Sequence, residues 1–346
     1  MENQKIGENS ISLKNPVYIL DSACVVGKRE GQGPLHELFD VIGEDDMFGC
    51  KTWEEAESTL QKEAMWLVLK KTHLKPKDCD VIFAGDLLGQ CMASSFGIEG
   101  YAIPFYGVYG ACSTCGEMLS LGAMVVAGGF GKVVACVTSS HFASAEKEFR
   151  FPLEYGNQRP LSATFTVTGS GAFVLAGEEM RGLLNKRGRA KIEGITIGKI
   201  VDFGIKDSMN MGACMAPAAA SCIRQHFWDF NREPKDYDKI ITGDLGTVGS
   251  EILIHLLAGQ GIDISGRHID CGVEIYDVIR QDKHAGGSGC GCSAVTLSAY
   301  ILKMLEEEKW SRVLFVPTGA LLSKTSFNEG QSVPGIAHGV VIAKVS

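Results

Sequence analysis

The segment PKDCDVIFAGDL at residues 76–87 recurs 158 positions later as PKDYDKIITGDL at residues 234–245. Eight of the twelve positions are identical, which is denser than chance similarity between two unrelated segments would give. Self-similarity at a fixed offset indicates duplication of a structural unit. We therefore predict that the chain contains two copies of one fold, with the same elements in the same order.

Further pairs of segments follow in that order. GACSTCGEML begins at Gly110, CGCSAVTLSA begins at Cys290, and each leads from a turn of small residues into an apolar helix and then a strand. This comparison places Cys112 opposite Cys292. The later segments GAFVLA and GVVIAK also resemble each other, so the repeat covers most of each half.

The alternation of elements within each half predicts an α/β fold. Apolar runs such as DVIFAG are typical of strands that are buried on both faces, and helical patterns separate them. Thr52 and Glu55 form a candidate capping box at the start of the first long helix. Two sheets that share the apolar helices of the cysteine turns give a five-layer α/β/α/β/α body, with halves at residues 1–185 and 186–346.

Composition and charge argue against several classes of protein. The 346 residues are 45% hydrophobic and carry a net charge of −8, which disfavours nucleic acid or an anionic surface as a direct partner. The N-terminus lacks the apolar segment of a signal peptide, and the apolar run at 118–131 is too short to cross a membrane. We expect a soluble protein that is peripheral at a membrane. Most of the twelve cysteines are expected to be reduced and buried.

Cys112 is the strongest candidate for a reactive group. The amides and the dipole at a helix N-terminus favour negative charge, so we expect this position to lower the pKa of the thiol. The C-x-x-C spacing of Cys112 and Cys115 also allows a zinc site. Packing of small residues at two equivalent helix starts is the simpler explanation, and it applies to Cys292 as well.

These turns resemble those of the thiolase-like condensing enzymes, above all ketoacyl synthase III, in which the nucleophilic cysteine begins the central helix of the first half. TFTVTGSGAFVLA at residues 164–176 is similar to a hairpin of the same family. The resemblance implies a thiolase-like five-layer fold built from two duplicated halves. It also implies, as one alternative, an active acyltransferase of the ketoacyl synthase III type with Cys112 as the nucleophile.

The partners of that nucleophile do not match the family pattern. Gly243 and Asp244 stand where the family has a histidine, and the turn GGSGCGCSAV has no asparagine. A shifted alignment would offer His284 or His255 as the base. Loss of one oxyanion donor costs roughly 100- to 1,000-fold in rate. We therefore expect no catalytic residues, and a former active site that has kept its pocket.

A closer resemblance is to the stage V sporulation protein AD family. It rests on the motifs YGACST, TSSH, AEKEFRFPLEYGNQRP, TVTGSGA, HAGGSGCGCSAV and LLSKTSFNEGQSVPGIAHGVV. The resemblance implies a non-enzymatic protein that binds dipicolinic acid (pyridine-2,6-dicarboxylate), or its calcium chelate, and supports dipicolinate uptake into the developing spore. It also implies membrane proteins of the same operon as partners, and a peripheral position at the inner membrane of the forespore. No cofactor and no bound metal other than such calcium are expected.

Dipicolinate is a small planar dianion, and the sequence offers groups that would suit it. Amides at a helix start could hold one carboxylate, arginines could pair with the other, and Asp244 would suit calcium or a protonated ring better than the bare dianion. Phe151 or Tyr155 could stack on the ring. The candidate ligand-binding residues are Cys112, Ser113, His141, Arg150, Arg159, Asp244 and His284.

Each candidate also has a purely structural interpretation. Cys112 could be a packing residue, His141 could cap a loop, and Asp244 could be a turn residue like its repeat partner Asp86. Loop arginines commonly pair at the surface. A scaffold with a vestigial pocket is a third functional alternative. By analogy with the condensing enzymes we expect a homodimer, formed through the strand KVVACVTSS.

Overall fold

The computed structural model describes residues 4–149, 158–183 and 189–345, and for residues 181–183 the backbone alone. Its strands are β1 Lys5–Ile6, β2 Ser10–Val26, β3 Val41–Ile42, β4 Val81–Asp86, β5 Phe105–Gly107, β6 Val133–Ser140, β7 Phe165–Thr166, β8 Gly169–Ala176, β9 Ala190–Thr196, β10 Lys239–Thr242, β11 His268–Asp270, β12 Gly287–Ser288, β13 Arg312–Val316, β14 Thr318–Ala320, β15 Gly335–Ala337 and β16 Gly339–Ala343.

The helices alternate with these strands. They are α1 Trp53–Thr72, α2 Met92–Ile98, α3 Thr114–Ala127, α4 Phe142–Phe149, α5 Glu178–Leu183, α6 Met211–Phe230, α7 Gly246–Ala258, α8 Cys271–Glu274, α9 Cys290–Thr296, α10 Leu302–Glu306 and α11 Lys324–Asn328. A π-helical turn at Leu297–Ile301 makes α9 and α10 continuous.

The strand order confirms the duplication. In the first half the order is β5-β4-β6-β8-β2, and in the second it is β11-β10-β13-β16-β9. In both halves the three strands farthest from the junction are parallel, and the last two pairings are antiparallel. The repeated PKD segments occupy the same place, a 3₁₀ turn that leads into β4 or β10.

The sheets of the two halves are joined into one, whereas the sequence predicted two sheets that pack through shared helices. The 17-residue strand β2 pairs with β8 on one side and with β9 on the other, which links all ten strands into one hydrogen-bonded series. Between Ser12 and Val17 the register of the β2–β9 pairing shifts. Ser10 and Thr196 add a hydroxyl–hydroxyl bond of 2.9 Å across this junction.

The central layer consists of the helices that follow the two cysteine turns. Side chains of α3 and α9 form one core cluster with strands of both sheets, including Met118, Val295, Phe173 and Phe315. A second cluster lies under α1 and a third under α6 and α7, on the outer faces of the two sheets. Five layers result, with α3 and α9 in the middle.

The first long helix begins as expected at Thr52, whose hydroxyl accepts the amide of Glu55 at 3.2 Å. The return bond of a capping box is made one residue earlier, because the Glu55 carboxylate accepts the amide of Lys51 at 3.0 Å. The predicted boundary between the halves, at residues 185 and 186, lies outside the described residues.

The expected dimer strand KVVACVTSS is wrong as an interface. It forms β6, which is buried throughout and hydrogen-bonded to β4 on one side and β8 on the other, so it has no free edge. The outer strand on that side of the sheet is β5, whose three residues are all exposed.

Close approach of α9 to β8 depends on a glycine. A Cβ at Gly171 would lie 2.8 Å from the backbone carbon of Ala294, which is closer than side chains pack. We predict that Gly171→Ala lowers the free energy of unfolding by about 1–3 kcal/mol, because the central helix must move away from the sheet. Urea denaturation measures this change.

Gly100→Ala is the matched control, because nothing lies within 4 Å of a Cβ at that position. Its stability should stay within about 1 kcal/mol of the wild type. An equal loss in both variants would contradict the packing argument.

Candidate functional site

The turn before α3 is fixed by its own hydroxyl groups. Ser113 Oγ donates to the Gly110 carbonyl and Thr114 Oγ1 donates to the Ala111 carbonyl, each at 2.7 Å. Ala111 has a φ of 50°, an uncommon left-handed conformation for a residue with a Cβ. A Cβ at Gly319 would clash with the Gly110 carbonyl, so β14 passes directly against this turn. These constraints present Cys112 at the end of the turn.

The expectation of a lowered thiol pKa is wrong. Cys112 stands two residues before α3, which begins at Thr114, so its thiol is not within the helical turn. Burial, followed by the charge of Asp244 and a hydrogen bond to its carboxylate, raises the pKa of Cys112 well above the ordinary value. The sulfur is therefore a neutral thiol that donates to Asp244.

Asp244 is the buried charge of this site. It is fully buried, Gly289 N donates to its Oδ2 at 2.9 Å, and the Thr318 hydroxyl donates to its Oδ1 at 2.8 Å. Burial raises the pKa of Asp244 to about 6, although hydrogen bonds from Cys112, Gly289 and Thr318 lower it in part. The carboxylate has four lone-pair positions and three donors, so one acceptor position is left.

Asp244 does not share the role of its repeat partner. Asp86 accepts the amide and the hydroxyl of Ser94 and so caps the first turn of α2. In the second half, Asp270 performs that task for α7 by accepting the amides of Leu245 and Gly246. Asp244 is thereby free to face Cys112, and its interpretation as a simple turn residue does not account for these contacts.

A cavity opens in front of Cys112 and Asp244, with about 710 Å³ of space including its mouth. Leu87, Ala145 and Cys290 form a small apolar cluster below it, against which Cys112 packs. Most of the wall is apolar. The described lining residues are Leu87, Tyr109, Ala111, Cys112, Ala145, Phe149, Ala163, Thr164, Thr166, Ser208, Met209, Met211, Met215, Asp244, Ser288, Ala320 and Leu322.

No histidine, asparagine, lysine or arginine belongs to the lining among the described residues. His255 lies on α7 with its Nδ1 bonded to the Glu251 carbonyl, so a shifted alignment does not place it at the sulfur. Asp244 is a poor base for Cys112, because a proton would move uphill from a thiol of raised pKa to a carboxyl of pKa about 6. The described lining therefore lacks the histidine and the asparagine that the resemblance implies for a condensing site.

His141 has a structural role instead of a place in the cavity. Its Nδ1 accepts the Ala143 amide at 3.1 Å, so the neutral ring carries its proton on Nε2 and donates to the Asp46 carbonyl at 2.7 Å. Burial lowers its pKa. The ring thus fixes the start of α4, and through this helix it positions Ala145 and Phe149 in the cavity wall.

Three other candidates also lie away from the cavity lining. The hydroxyl and amide of Ser113 are both engaged with the Gly110 carbonyl. His284 contacts the Pro160 carbonyl at 2.9 Å and Asp282 at 3.3 Å. The guanidinium of Arg159 lies 4.8 Å from the ring centre of Phe165. Arg150, Phe151 and Tyr155 lie outside the described residues.

Sequence reasoning missed several lining residues. Ser288 occupies the turn where the condensing enzymes have asparagine, and alignment of GGSGCGCSAV with that turn could have identified it. It lies on β12, which pairs with β7 and brings Ser288 beside Thr166. Both strands have only two residues, too few for a periodic pattern. The cavity is also lined by Met209, Met211 and Met215. They lie in a loop and in the first turns of α6, where no sequence pattern indicated a site.

Comparison with known proteins identifies the family. The chain matches the family model of stage V sporulation protein AD over residues 7–343. Stage V sporulation protein AD of Bacillus subtilis strain 168 is 43% identical over 338 residues, which cover 98% of this chain and 97% of that protein. The chain belongs to the stage V sporulation protein AD family. Its role is accordingly in sporulation, and the resemblance seen in the sequence is confirmed.

Solved structures confirm the thiolase-like fold. Human mitochondrial 3-ketoacyl-CoA thiolase in complex with CoA gives a TM-score of 0.56 at 13% identity, covering 97% of this chain and 99% of that one. The 3-oxoacyl-(acyl carrier protein) synthase III of Xanthomonas oryzae gives 0.59 at 11% identity, covering 96% and 100%. At such low identity the likeness concerns the fold alone.

The described residues also bear on metal binding and on membrane insertion. No group of three or more histidine, cysteine or acidic side chains among the described residues is arranged to hold a metal ion, and this includes the pair Cys112 and Cys115. No helix in the described ranges has the length and apolarity needed to cross a bilayer.

The buried carboxyl makes stability depend on pH. The pKa of Asp244 is higher in the folded chain than in the unfolded chain, so the stability it contributes at low pH is lost as pH rises from about 4 through 6. We predict that Asp244→Asn gains about 2 kcal/mol relative to the wild type between pH 4.5 and pH 7.5. Chemical denaturation at both pH values measures the difference.

Asp263→Asn is the control, because this acid is exposed on the far surface. It should show no such gain on raising the pH. A constant difference between Asp244→Asn and the wild type at both pH values would show that Asp244 titrates normally.

Proposed function

We propose that this protein binds dipicolinate in the cavity beside Cys112 and Asp244, chiefly as its calcium chelate, and so supports dipicolinate uptake into the developing spore. The observation that carries the proposal is the charge of the cavity, where one buried carboxylate faces the space and no basic side chain belongs to the described lining. Support for this particular ligand comes from the family resemblance noted in the sequence.

The shape and chemistry of the walls suit a small aromatic ligand. Methionine, leucine and aromatic side chains offer apolar contact for a flat ring, and methionine adapts its shape to such contacts. The hydroxyl groups of Thr166, Ser208 and Ser288 can donate to carboxylate oxygens. Mostly apolar walls with a few polar groups are typical of small-molecule sites.

The form of the ligand follows from Asp244. The dipicolinate dianion would be repelled by the buried carboxylate of Asp244, because the site has a low dielectric constant. Calcium reverses this effect, because it binds six to eight oxygens and can take one from the remaining acceptor position of Asp244. Since no metal-binding group is present among the described residues, the ion would arrive with its dipicolinate ligands.

Binding is favoured over acyl transfer by the same contacts. The thiol of Cys112 is neutral and is hydrogen-bonded to a carboxylate, and the histidine and asparagine of the condensing enzymes are replaced by Asp244 and Ser288. Neither replacement supplies a cationic or amide donor to an oxyanion. We therefore propose a non-enzymatic protein that passes its ligand to membrane proteins of the same operon, at the surface of the inner membrane.

Calorimetric titration tests the proposal directly. We predict that the calcium chelate binds the wild type at pH 7.5 and that free dipicolinate binds at least about tenfold more weakly. Only the chelate brings a cation to the Asp244 carboxylate, whereas the free dianion is repelled by it. Asp244→Asn should reverse this order by removing the repulsion and the calcium ligand together. Asp263→Asn is the control and should preserve the wild-type order.

Three results would count against the proposal. Absence of heat with both forms of the ligand would reject it. Equal affinity for both forms in the wild type would reject the role of Asp244. A stable acyl adduct on Cys112 after incubation with acyl-CoA, detected by mass spectrometry, would favour the acyltransferase instead.

We also propose that the protein forms a homodimer through β5, the exposed outer strand of the first half. The strand carries Tyr106, which is 64% exposed, and near it in the chain lie Phe96 and Tyr109, which are 64% and 40% exposed. An unpaired strand edge with such apolar neighbours favours association. Two copies of β5 would extend the sheet across a twofold axis.

We predict that Tyr106→Asp converts the dimer into a monomer, because a twofold axis brings two added charges together. Light scattering after gel filtration measures the mass. Phe130→Asp is the control, since Phe130 is equally apolar and 82% exposed on another element. A wild-type monomer, or a dimer that survives Tyr106→Asp, would contradict this interface.

A further inference from the structure

A group of basic side chains surrounds Phe165, on the strand β7 that also borders the cavity. Lys283 Nζ lies 3.2 Å from the ring centre, and the guanidinium carbons of Arg159 and Arg29 lie at 4.8 Å and 5.3 Å. Three positive charges thus fall within 5.3 Å of one point. We call Arg29, Arg159 and Lys283 the cation cluster.

The cation cluster is separated from the cavity by one strand. Thr164 and Thr166 line the cavity, and Phe165 between them does not. Successive side chains of a strand point to opposite faces, so Phe165 and its cations lie behind the cavity wall. The ring of Phe142 stacks on Phe165 at 3.9 Å and covers one face, which leaves the other face to Lys283.

The charges of the cluster are only partly offset by the described chain, because the charges of Glu30 and Asp282 act on Lys283 without forming an ion pair with it. No carboxylate of the described residues lies within 4.0 Å of the charged nitrogens of Arg29, Arg159 or Lys283. The nearby acids have other contacts: Glu30 Oε1 accepts the Tyr276 hydroxyl and the Thr168 amide, whereas its Oε2 has no hydrogen-bond partner among the described residues, and Asp282 contacts His284. Lys283 is nevertheless only 4% exposed.

This arrangement is costly unless an anion completes it. A buried ammonium group without a carboxylate loses hydration, and neighbouring like charges add repulsion. Burial, followed by the charge of Arg29, lowers the pKa of Lys283 to about 8. Contact with the Phe165 ring compensates in part, since a cation over an aromatic face is attracted to it. Guanidinium and ammonium groups together are the donors that carboxylate and phosphate groups use in proteins.

We propose that the cation cluster is an anion subsite that takes the free dicarboxylate form of the ligand, on the opposite side of β7 from the cavity. This inference rests on the proposed function for the identity of the dicarboxylate. The two places differ in charge: the cluster holds three cations, whereas the described cavity lining holds one carboxylate. Free dianion and neutral chelate would therefore prefer different sides of the same strand.

Two probes distinguish the subsite from the cavity. Calorimetry with dipicolinate in the absence of calcium, and separately with inorganic phosphate, is carried out on the wild type, Lys283→Met and Arg159→Gln. We expect each substitution to weaken both anions about tenfold or more, because a charged donor is lost. Lys235→Met, a 73% exposed lysine on another face, is the matched control and should bind like the wild type.

The outcomes separate this inference from the proposed function. If the calcium chelate binds but Lys283→Met and Arg159→Gln bind free dipicolinate as the wild type does, the subsite is overturned while the cavity proposal stands. If no form of dipicolinate binds the wild type but phosphate binds and is lost in both variants, the anion subsite stands and its dicarboxylate ligand is rejected. Failure of both anions to bind the wild type overturns the subsite.

A stability measurement guards against a folding artefact. Without added anion, Lys283→Met should melt at a higher temperature than the wild type at pH 7, because a buried charge that Glu30 and Asp282 offset only in part is removed. Added phosphate should raise the melting temperature of the wild type and leave that of Lys283→Met unchanged. A lower melting temperature for Lys283→Met without anion would indicate a purely structural lysine and overturn the inference.

Discussion

The contact between the Cys112 thiol and the buried carboxylate of Asp244 determines what this site can do. A thiolate is stabilised by positive charge and by donors, whereas the Asp244 carboxylate here accepts a hydrogen bond from the thiol and its negative charge raises the thiol pKa further. The same carboxylate orders Gly289 and Thr318, which lie on the turn before α9 and on β14. One interaction therefore raises the pKa of the thiol and joins the elements that surround the cavity.

Duplication made this contact possible, because the two halves solved the same capping problem with different residues. The first half keeps an aspartate at the end of β4 to hold the start of α2. The second half assigns the corresponding task to Asp270, at the end of the neighbouring strand β11. Asp244 could then turn towards the other half. The two halves therefore differ in the role of this aspartate, although Asp86 and Asp244 lie within the most similar pair of segments, residues 76–87 and 234–245.

The sequence predicted the parts of the molecule that rest on local or repeated patterns. Duplicated segments, apolar strands and the two central helices gave the α/β architecture, and Cys112 and Asp244 were placed together through the family pattern. The structural role of His141 could not be predicted, because its ring is buried and its Nε2 bonds to the carbonyl of Asp46, 95 residues away in the chain. The raised pKa of Cys112 could not be predicted for a related reason. The start of the helix can be inferred from the sequence, but burial, which is the main cause of the raised pKa, depends on the whole fold. Lys283 was overlooked because its neighbours Arg29 and Phe165 are far away in the chain.

The two sides of β7 carry opposite charge, so they offer two electrostatic environments where a single pocket would offer one. Thr166 of this short strand lines the cavity that holds the Asp244 carboxylate, and Phe165 beside it contacts three cations. Under the two proposals above, forms of one ligand that differ in net charge would bind on opposite sides of the strand. Neither environment suits the other form, since the dianion is repelled by Asp244 and a neutral chelate gains little from the cations. Both proposals therefore make the charge state of the ligand the first property that the protein would distinguish. The negative charge in this arrangement belongs to Asp244, which stands where the resemblance to the condensing enzymes implies a histidine.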